Sequence, residues 1–210
     1  MTDAPRLIFD AHLDMAWNAV EWNRDLLKPV SELREFESQF DGIIPGDCTV
    51  SWADLRRGRI GMTISTLLPR LHHKDAVLTH FQSRDAAYGA CHGQLAYYRS
   101  LVDKGVLREI TDAASLQEHV TAWENDTTGQ LPIGFILSME GSPPILSPSQ
   151  IPEWYEAGLK ILGPAHYGPA PYCFGTGSEG GLTADGPDLL REMEQAGMLL
   201  DVTHLADQSF

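Results

Sequence analysis

Short, almost wholly apolar runs alternate with longer amphipathic stretches along this chain. Each run is flanked by Gly or Pro, and the five lie at residues 7–9, 61–68, 133–139, 159–162 and 198–202. Brief apolar runs with such flanks are typical of buried parallel strands. The pattern therefore predicts five strands, the first of which runs on into the polar segment 10–14.

The stretches between these runs have helical spacing. Apolar residues recur three, four or seven positions apart from Ala76 to Asp103, and Gly105 follows as a stop signal. Further helices are predicted at 112–124, at 152–157 and from about 185 to Gly197. Residues 19–58 are predicted to form a long irregular loop, with one short helix near 51–57.

Alternating strands and helices predict an α/β fold with a parallel sheet. The chain has 210 residues, of which 43% are hydrophobic, so it can bury one sizeable core. A doubly wound sheet and a (β/α)8 barrel both fit this pattern. Five strands are too few for a complete barrel of eight.

Composition narrows the choice of partners. The formal net charge is −14, which disfavours nucleic acid and anionic membranes as partners. Three widely spaced cysteines make neither a disulfide framework nor a CxxC metal site. The sequence has no apolar stretch long enough to cross a membrane and no secretory signal, so we expect a cytoplasmic protein.

Four of the predicted strands end in residues suited to metal or oxyanion chemistry. His12 and Asp14 follow the first strand two positions apart, so on an extended chain they point the same way. Glu140, His166 and His204 follow the third, fourth and fifth strands. Taken alone, each could be an ordinary polar residue, but four such strand ends together favour a divalent metal site.

These segments resemble the motifs of the membrane (renal) dipeptidases, peptidase family M19. Residues 10–14 resemble the family's DGHxD motif, with Ala11 in place of a common glycine. The order and spacing of the motifs agree from about Leu7 onwards. The other matching segments are Met139-Glu140-Gly141, 158–166, Gly181-Leu182-Thr183 with Arg191-Glu192-Met193, and 197–204.

The resemblance implies a (β/α)8 TIM-like metallo-hydrolase barrel, with about its first five strands within residues 1–210 as a single portion of the catalytic domain. It implies a zinc-dependent dipeptidase that cleaves dipeptides with a metal-activated bridging water and two zinc ions. His12 and Asp14 would bind the first ion, Glu140 would bridge both, and His204 would bind the second. His166 would contact the substrate's scissile carbonyl, which makes Glu140 and His166 the expected catalytic residues.

The family has a second zinc histidine, a substrate-binding arginine and a late aspartate after the position of His204, and residues 1–210 contain none of them. We therefore expect catalysis to depend on residues beyond Phe210, and we expect the isolated chain to fold poorly or to associate, for instance as a homo-oligomer. Two alternatives stay open. The chain could belong to a related amidohydrolase-like metal hydrolase of another amide or ester, or it could be a non-catalytic fragment that needs a partner chain.

Overall fold

The computed structural model describes residues 7–40, 48–71 and 80–210. The described strands are β1 (Ile8–Leu13), β2 (Ile60–Leu67), β3 (Leu107–Glu109), β4 (Ile133–Glu140), β5 (Leu159–Gly163) and β6 (Leu199–Leu200). The described α-helices are α1 (Met15–Glu21), α2 (Val30–Glu37), α3 (Trp52–Arg57), α4 (Arg84–Asp103), α5 (Ala113–Asn125), α6 (Ile151–Glu156) and α7 (Gly186–Ala196).

The strands form one sheet in the order β1-β2-β4-β5-β6, with β3 beside β4. The pairs β1–β2, β3–β4, β4–β5 and β5–β6 are all parallel. Parallel strands joined by helices are the α/β arrangement that the sequence predicts, so this fold class is confirmed. Since the strands are parallel, the polar residues that follow them come at corresponding strand ends.

The chain divides into two compact units. The first unit contains the described residues within 1–65 and 97–135. Its core is rich in aromatic side chains: the rings of Tyr98 and Phe135 stack with centroids 5.3 Å apart, and the Trp52 indole N–H donates a hydrogen bond to the Tyr97 hydroxyl. These buried rings supply much of the apolar area that stabilises this unit.

The second unit contains the described residues within 66–96 and 136–210. Leu137 and Met139 of β4 and Leu159 and Leu162 of β5 are fully buried in its core. Their alternate neighbours along both strands are also largely covered, as expected for parallel strands with helices packed nearby. This unit carries the ends of β4, β5 and β6.

All five predicted strands are present, but two details of the prediction were wrong. Strand β3 was not predicted, because Leu107-Arg108-Glu109 offers a single apolar residue as a signal. The outer strands are also not buried: Phe9 of β1 is 48% exposed and Leu199 of β6 is 64% exposed. Both strands stand at the ends of the strand order, with a neighbouring strand on one side only.

The helix predictions succeed wherever a capping residue marks the boundary. Asp112 caps α5 by accepting a hydrogen bond from the Ser115 N–H at 2.7 Å, and Gly197 ends α7 in a left-handed conformation with φ of 73°. Helices α3 and α6 also lie where predicted.

The prediction of an irregular loop at 19–58 was wrong, because α2 and the end of α1 lie within it. The first residues of the predicted helix 76–103 lie outside the described residues, and α4 begins at Arg84.

Two expectations from composition agree with the described residues. None of the helices described combines the length and the apolar character that crossing a bilayer requires. Cys48, Cys91 and Cys173 are buried and form no disulfide, and burial raises the pKa of the Cys173 thiol to about 11. Cys173 is therefore a protonated core residue at neutral pH.

Candidate metal centre

Glu140 is the last residue of β4, and the backbone turns away directly after it. Its side chain is only 7% exposed, so the carboxylate lies largely out of solvent. Gly141 takes a φ of +90°, which a residue with a Cβ atom rarely adopts, and its N–H donates a hydrogen bond of 2.9 Å to the Gly163 carbonyl. The turn thus fixes the carboxylate at the end of the strand.

His166 follows β5 in a loop that folds back on itself. The Thr176 N–H donates to the His166 carbonyl at 3.0 Å, and the Gly168 N–H donates to the Thr176 carbonyl at 2.9 Å. Gly175 approaches the His166 carbonyl oxygen so closely that a Cβ atom at residue 175 would overlap it. The backbone of His166 is therefore held by hydrogen bonds between the two arms of this loop.

The same loop also orients His204. The Ala206 N–H donates to the Phe174 carbonyl at 3.0 Å, which aligns the segment after β6 with the loop. The Thr176 hydroxyl lies 2.9 Å from His204 Nδ1. Because this hydroxyl engages Nδ1, the other ring nitrogen, Nε2, points the opposite way.

Three predicted site residues meet in the second unit. Glu140 Oε1 lies 3.0 Å from His204 Nε2 and 3.7 Å from His166 Nε2. One ligand atom from each of the three residues lies within 4.8 Å of the others. The His166 and His204 side chains are 16% and 20% exposed, so the group is mostly covered but still reaches solvent.

This donor set fits a zinc-like ion. Two imidazoles and a carboxylate are its common ligands, at about 2.0–2.2 Å each. Donor atoms of a tetrahedral site with such bonds lie about 3.3 Å from one another, which follows from those bond lengths. The distances of 3.0 and 3.7 Å from Glu140 to the two histidines bracket this spacing. Little rearrangement is therefore needed for Glu140 and His204 to share one metal ion, and His166 Nε2 lies close to the same carboxylate oxygen.

His12 and Asp14 lie together in the first unit, at the end of β1. His12 Nε2 is 3.5 Å from Asp14 Oδ1, and the His12 N–H donates to the Asp10 carboxylate at 3.1 Å. The residues just after them are anchored, since the buried Tyr98 hydroxyl accepts a hydrogen bond from the Ala16 N–H at 3.1 Å. Burial raises the Tyr98 pKa, so this hydroxyl stays neutral. The predicted His-x-Asp pair thus has its side chains on the same side of the strand.

Three residues of the second unit were missed by the sequence reasoning. Thr176 contacts His204 from 28 positions away, and no local pattern marks it. Arg70 and His80 line a cavity beside His166, although residue 80 falls within the predicted helix 76–103. His80 is in fact outside the helix, four residues before α4 begins.

Comparison with known proteins decides the family. A family model described as membrane dipeptidase, peptidase family M19, matches residues 4–210. The chain belongs to the membrane dipeptidase family. The matched residues include His12, Asp14, Glu140, His166 and His204.

Solved structures agree with this membrane dipeptidase assignment at the level of the fold. A dipeptidase described as an M19 metallopeptidase is 18% identical with a TM-score of 0.69, and the match covers 97% of this chain and 58% of that one. A metallopeptidase from Rhodobacter sphaeroides, bound to a phosphinate mimic of the dipeptide L-Ala-D-Ala, is also 18% identical, with a TM-score of 0.68 over 97% of this chain and 60% of that one. The predicted fold class, part of a TIM-like α/β barrel, is thereby confirmed.

Two further matches are more distant. An amidohydrolase from Pseudomonas aeruginosa is 13% identical with a TM-score of 0.61, over 98% of this chain and 48% of its own. An uncharacterised protein from Acinetobacter calcoaceticus is 27% identical over 94 residues, which are 40% of this chain and 30% of that protein. This chain thus spans about half to three fifths of the length of the solved structures that it matches. It spans 30% of the length of the Acinetobacter calcoaceticus protein.

Proposed function

We propose that this member of the membrane dipeptidase family is a zinc-dependent dipeptidase, which hydrolyses the peptide bond of dipeptides. The observation that carries the proposal is the meeting of Glu140, His166 and His204 within 4.8 Å at the ends of successive parallel strands. Clustered ligand-type residues at the carboxyl ends of such strands are the usual position of active sites in this fold.

We assign the ligands of two zinc ions from the residue types and their positions. His12 and Asp14 would bind the first ion, Glu140 would bridge the two with its two carboxylate oxygens, and His204 would bind the second. The low exposure of the Glu140 carboxylate favours this role, because a buried carboxylate requires a cationic or hydrogen-bonding partner. The contact of the Thr176 hydroxyl with His204 Nδ1 favours a metal-ligand role for the imidazole, because it fixes the ring and leaves Nε2 for the ion.

The chemistry supplied by bound zinc is Lewis acidity, which lowers the pKa of a bound water to about 7. The rest depends on this chain's own side chains. Thr176 holds His204 in one orientation, so that its Nε2 stays directed at Glu140. His166 would donate a hydrogen bond from its ring N–H to the scissile carbonyl oxygen and stabilise the negative charge that develops there.

The experiment measures metal and activity together. The protein is purified with its native flanking sequence, its metal content is determined by elemental analysis, and hydrolysis of L,L and L,D dipeptides is followed with and without added zinc. We expect up to two zinc ions per chain and zinc-dependent dipeptide cleavage. A His166→Leu variant, which has no side-chain donor, should keep its zinc but lose about 100- to 1,000-fold in kcat, the usual effect of removing one oxyanion donor.

Two outcomes would contradict the proposal. Zinc-dependent hydrolysis of N-acyl amino acids or esters, without cleavage of any dipeptide, would favour an amidohydrolase of another amide or ester. A protein that binds no metal and cleaves none of these compounds would be the non-catalytic alternative.

A further inference from the structure

Asp14 is held in the first unit through its backbone carbonyl. It is the N-cap residue of α1, but its side chain makes no capping hydrogen bond to that helix. Its carbonyl oxygen instead accepts two hydrogen bonds from Asn18, which donates its backbone N–H at 3.0 Å and its side-chain Nδ2 at 2.9 Å. The carboxylate lies on the side of His12, with Oδ1 3.5 Å from His12 Nε2. The first turn of α1 is thus fixed without a hydrogen bond from the carboxylate that is proposed to bind zinc.

An arginine orients the side-chain amide of Asn18. Arg24 Nη1 donates a hydrogen bond of 2.5 Å to Asn18 Oδ1. Because an arginine side chain carries only donors, the amide oxygen must face Arg24, and the NH2 group is then directed at the Asp14 carbonyl. The backbone of Arg24 is also tied to α1, since its N–H donates to the Ala19 carbonyl at 3.1 Å. Arg24 therefore determines which atom of Asn18 is presented to Asp14.

A buried carboxylate of α2 holds Arg24 in turn. Arg24 Nε donates to Glu37 Oε1 at 2.5 Å, and the two side chains are 9% and 2% exposed. The second oxygen of Glu37 accepts a hydrogen bond of 3.3 Å from the Cys48 N–H. Such a pair is held in place, because moving either charge would leave the other desolvated without its partner. A continuous chain of hydrogen bonds thus connects α2 with the backbone of Asp14.

We infer that Asn18, Arg24 and Glu37 are positioning residues for a metal ligand. They fix the backbone of Asp14, so that its carboxylate stays beside His12, where the first zinc ion is proposed to bind. The inference rests on the proposed function, and it assigns a role to residues that are not themselves proposed as ligands. Ion-pair stability is a weak alternative explanation, because a buried ion pair is often no more stabilising than uncharged residues of similar volume.

Two variants separate positioning from stability. Asn18→Asp keeps an oxygen for Arg24 but removes the NH2 group that donates to the Asp14 carbonyl. Its added negative charge would by itself attract cations, so weaker metal binding reports a change of geometry. The double variant Arg24→Met/Glu37→Gln removes both buried charges together, which avoids an unpaired charge. It also keeps an oxygen for the Cys48 N–H.

Arg34→Gln is the matched control. Arg34 of α2 donates a hydrogen bond of 2.7 Å from Nε to the Cys48 carbonyl. The variant therefore weakens the same contact of α2 with residue 48, and it leaves the hydrogen bonds of Asn18 and Arg24 in place.

The first measurement is metal binding together with stability. Each protein, purified with its native flanking sequence, is titrated with Co²⁺, whose visible absorption reports the geometry of its ligands, and is unfolded in urea. We expect both test variants to bind one of two ions about 10- to 100-fold more weakly, with a changed absorption spectrum, and the other ion normally. The double variant should do so at an unchanged urea midpoint, which a purely structural role would not produce. Arg34→Gln should bind both ions like the parent.

Crystal structures of the EDTA-treated proteins give a second measurement that requires neither metal nor hydrolysis. We expect Asp14 Oδ1 to stay beside His12 Nε2 in the parent and in Arg34→Gln, and to move away in both test variants. An unchanged position of Asp14 in the folded test variants would overturn the positioning role and leave the dipeptidase proposal intact. If the parent binds no metal and cleaves no dipeptide, the proposed function fails, and the position of Asp14 still decides the inference.

Discussion

Two histidines, one in each unit, show how little burial alone says about function. His119 of α5 is 2% exposed, and its Nε2 lies 2.7 Å from the Gly61 carbonyl oxygen and 3.1 Å from the Gly134 nitrogen. The His204 side chain is 20% exposed, and its Nε2 lies 3.0 Å from the Glu140 carboxylate. The buried histidine contacts neutral backbone groups, whereas the more exposed one faces a negative charge.

The partner of the ring nitrogen therefore separates a structural histidine from a candidate metal ligand. Around His119 the packing is so close that a Cβ atom on Gly134 would lie 2.5 Å from the ring, which leaves no space for an ion. Desolvation lowers the pKa of His119, with a smaller effect of Arg108 in the same direction. His119 thus stays neutral, and its Nε2–H donates to the nearer of the two backbone groups, the Gly61 carbonyl of β2.

Replacement of the Glu140 carboxylate is expected to have the largest effect on zinc binding. Glu140→Gln keeps the shape of the side chain but removes its charge and one acceptor oxygen. We expect zinc affinity to fall by more than about 100-fold, because losing a residue that only orients a ligand already costs about 10- to 100-fold. Dipeptide cleavage should be lost. Elemental analysis and a competitive chelator titration measure this. Glu153→Gln, on the exposed face of α6, is the matched control and should bind zinc normally.

A smaller effect is expected at the residue that orients His204. Thr176→Val removes the hydroxyl from His204 Nδ1 without changing the volume of the side chain. We expect zinc affinity to fall by about 10- to 100-fold. Thr183→Val is the control, since the Thr183 hydroxyl lies in the same unit but donates to the Pro171 carbonyl and not to His204. Equal zinc affinities for the two variants would show that Thr176 does not position His204.

Replacing the structural histidine, His119, should lower the stability of the protein and leave its zinc affinity unchanged. His119→Phe fills a similar space but leaves the Gly61 carbonyl without its side-chain donor. We expect the free energy of unfolding to fall by about 1–3 kcal/mol, measured by urea denaturation, while zinc affinity stays unchanged. A folded variant that had lost its zinc would remove the distinction between the two histidines.

The smallest expected effect is on the pH dependence of stability. Below pH 6.5 the unfolded chain protonates His119, whereas the folded protein resists protonation until a lower pH. His119 therefore makes the folded state lose stability as the pH falls from 6.5 to its lowered folded pKa, and has no such effect above 6.5. Between pH 6.5 and 5.5 the loss is at most about 1.4 kcal/mol. His119→Phe should lack this loss in parallel urea titrations.

The sequence predicts the strand ends well, because each ligand-type residue follows an apolar run that Gly or Pro delimits. Glu140 and His204 could be found in this way. Thr176 could not be found, because its contact with His204 depends on a loop that folds back, which is a tertiary contact without a local pattern.

Helices α1 and α2 were missed for a related reason. Neither has a side-chain hydrogen bond at its N-cap, so the usual start signal is weak. Pro29 directly before α2 and the tryptophans of the segment indicate a loop when they are considered locally. Packing of Leu33, which is 4% exposed, stabilises α2 in the folded protein.

The close approach of Gly175 to the His166 carbonyl oxygen limits which residues can replace Gly175. One face of this short segment fixes His166, and the next residue, Thr176, fixes His204. The positions of His166 and His204 therefore both depend on residues 175–176, where there is no space for a Cβ atom on Gly175. A methyl group added at residue 175 would displace both imidazoles together.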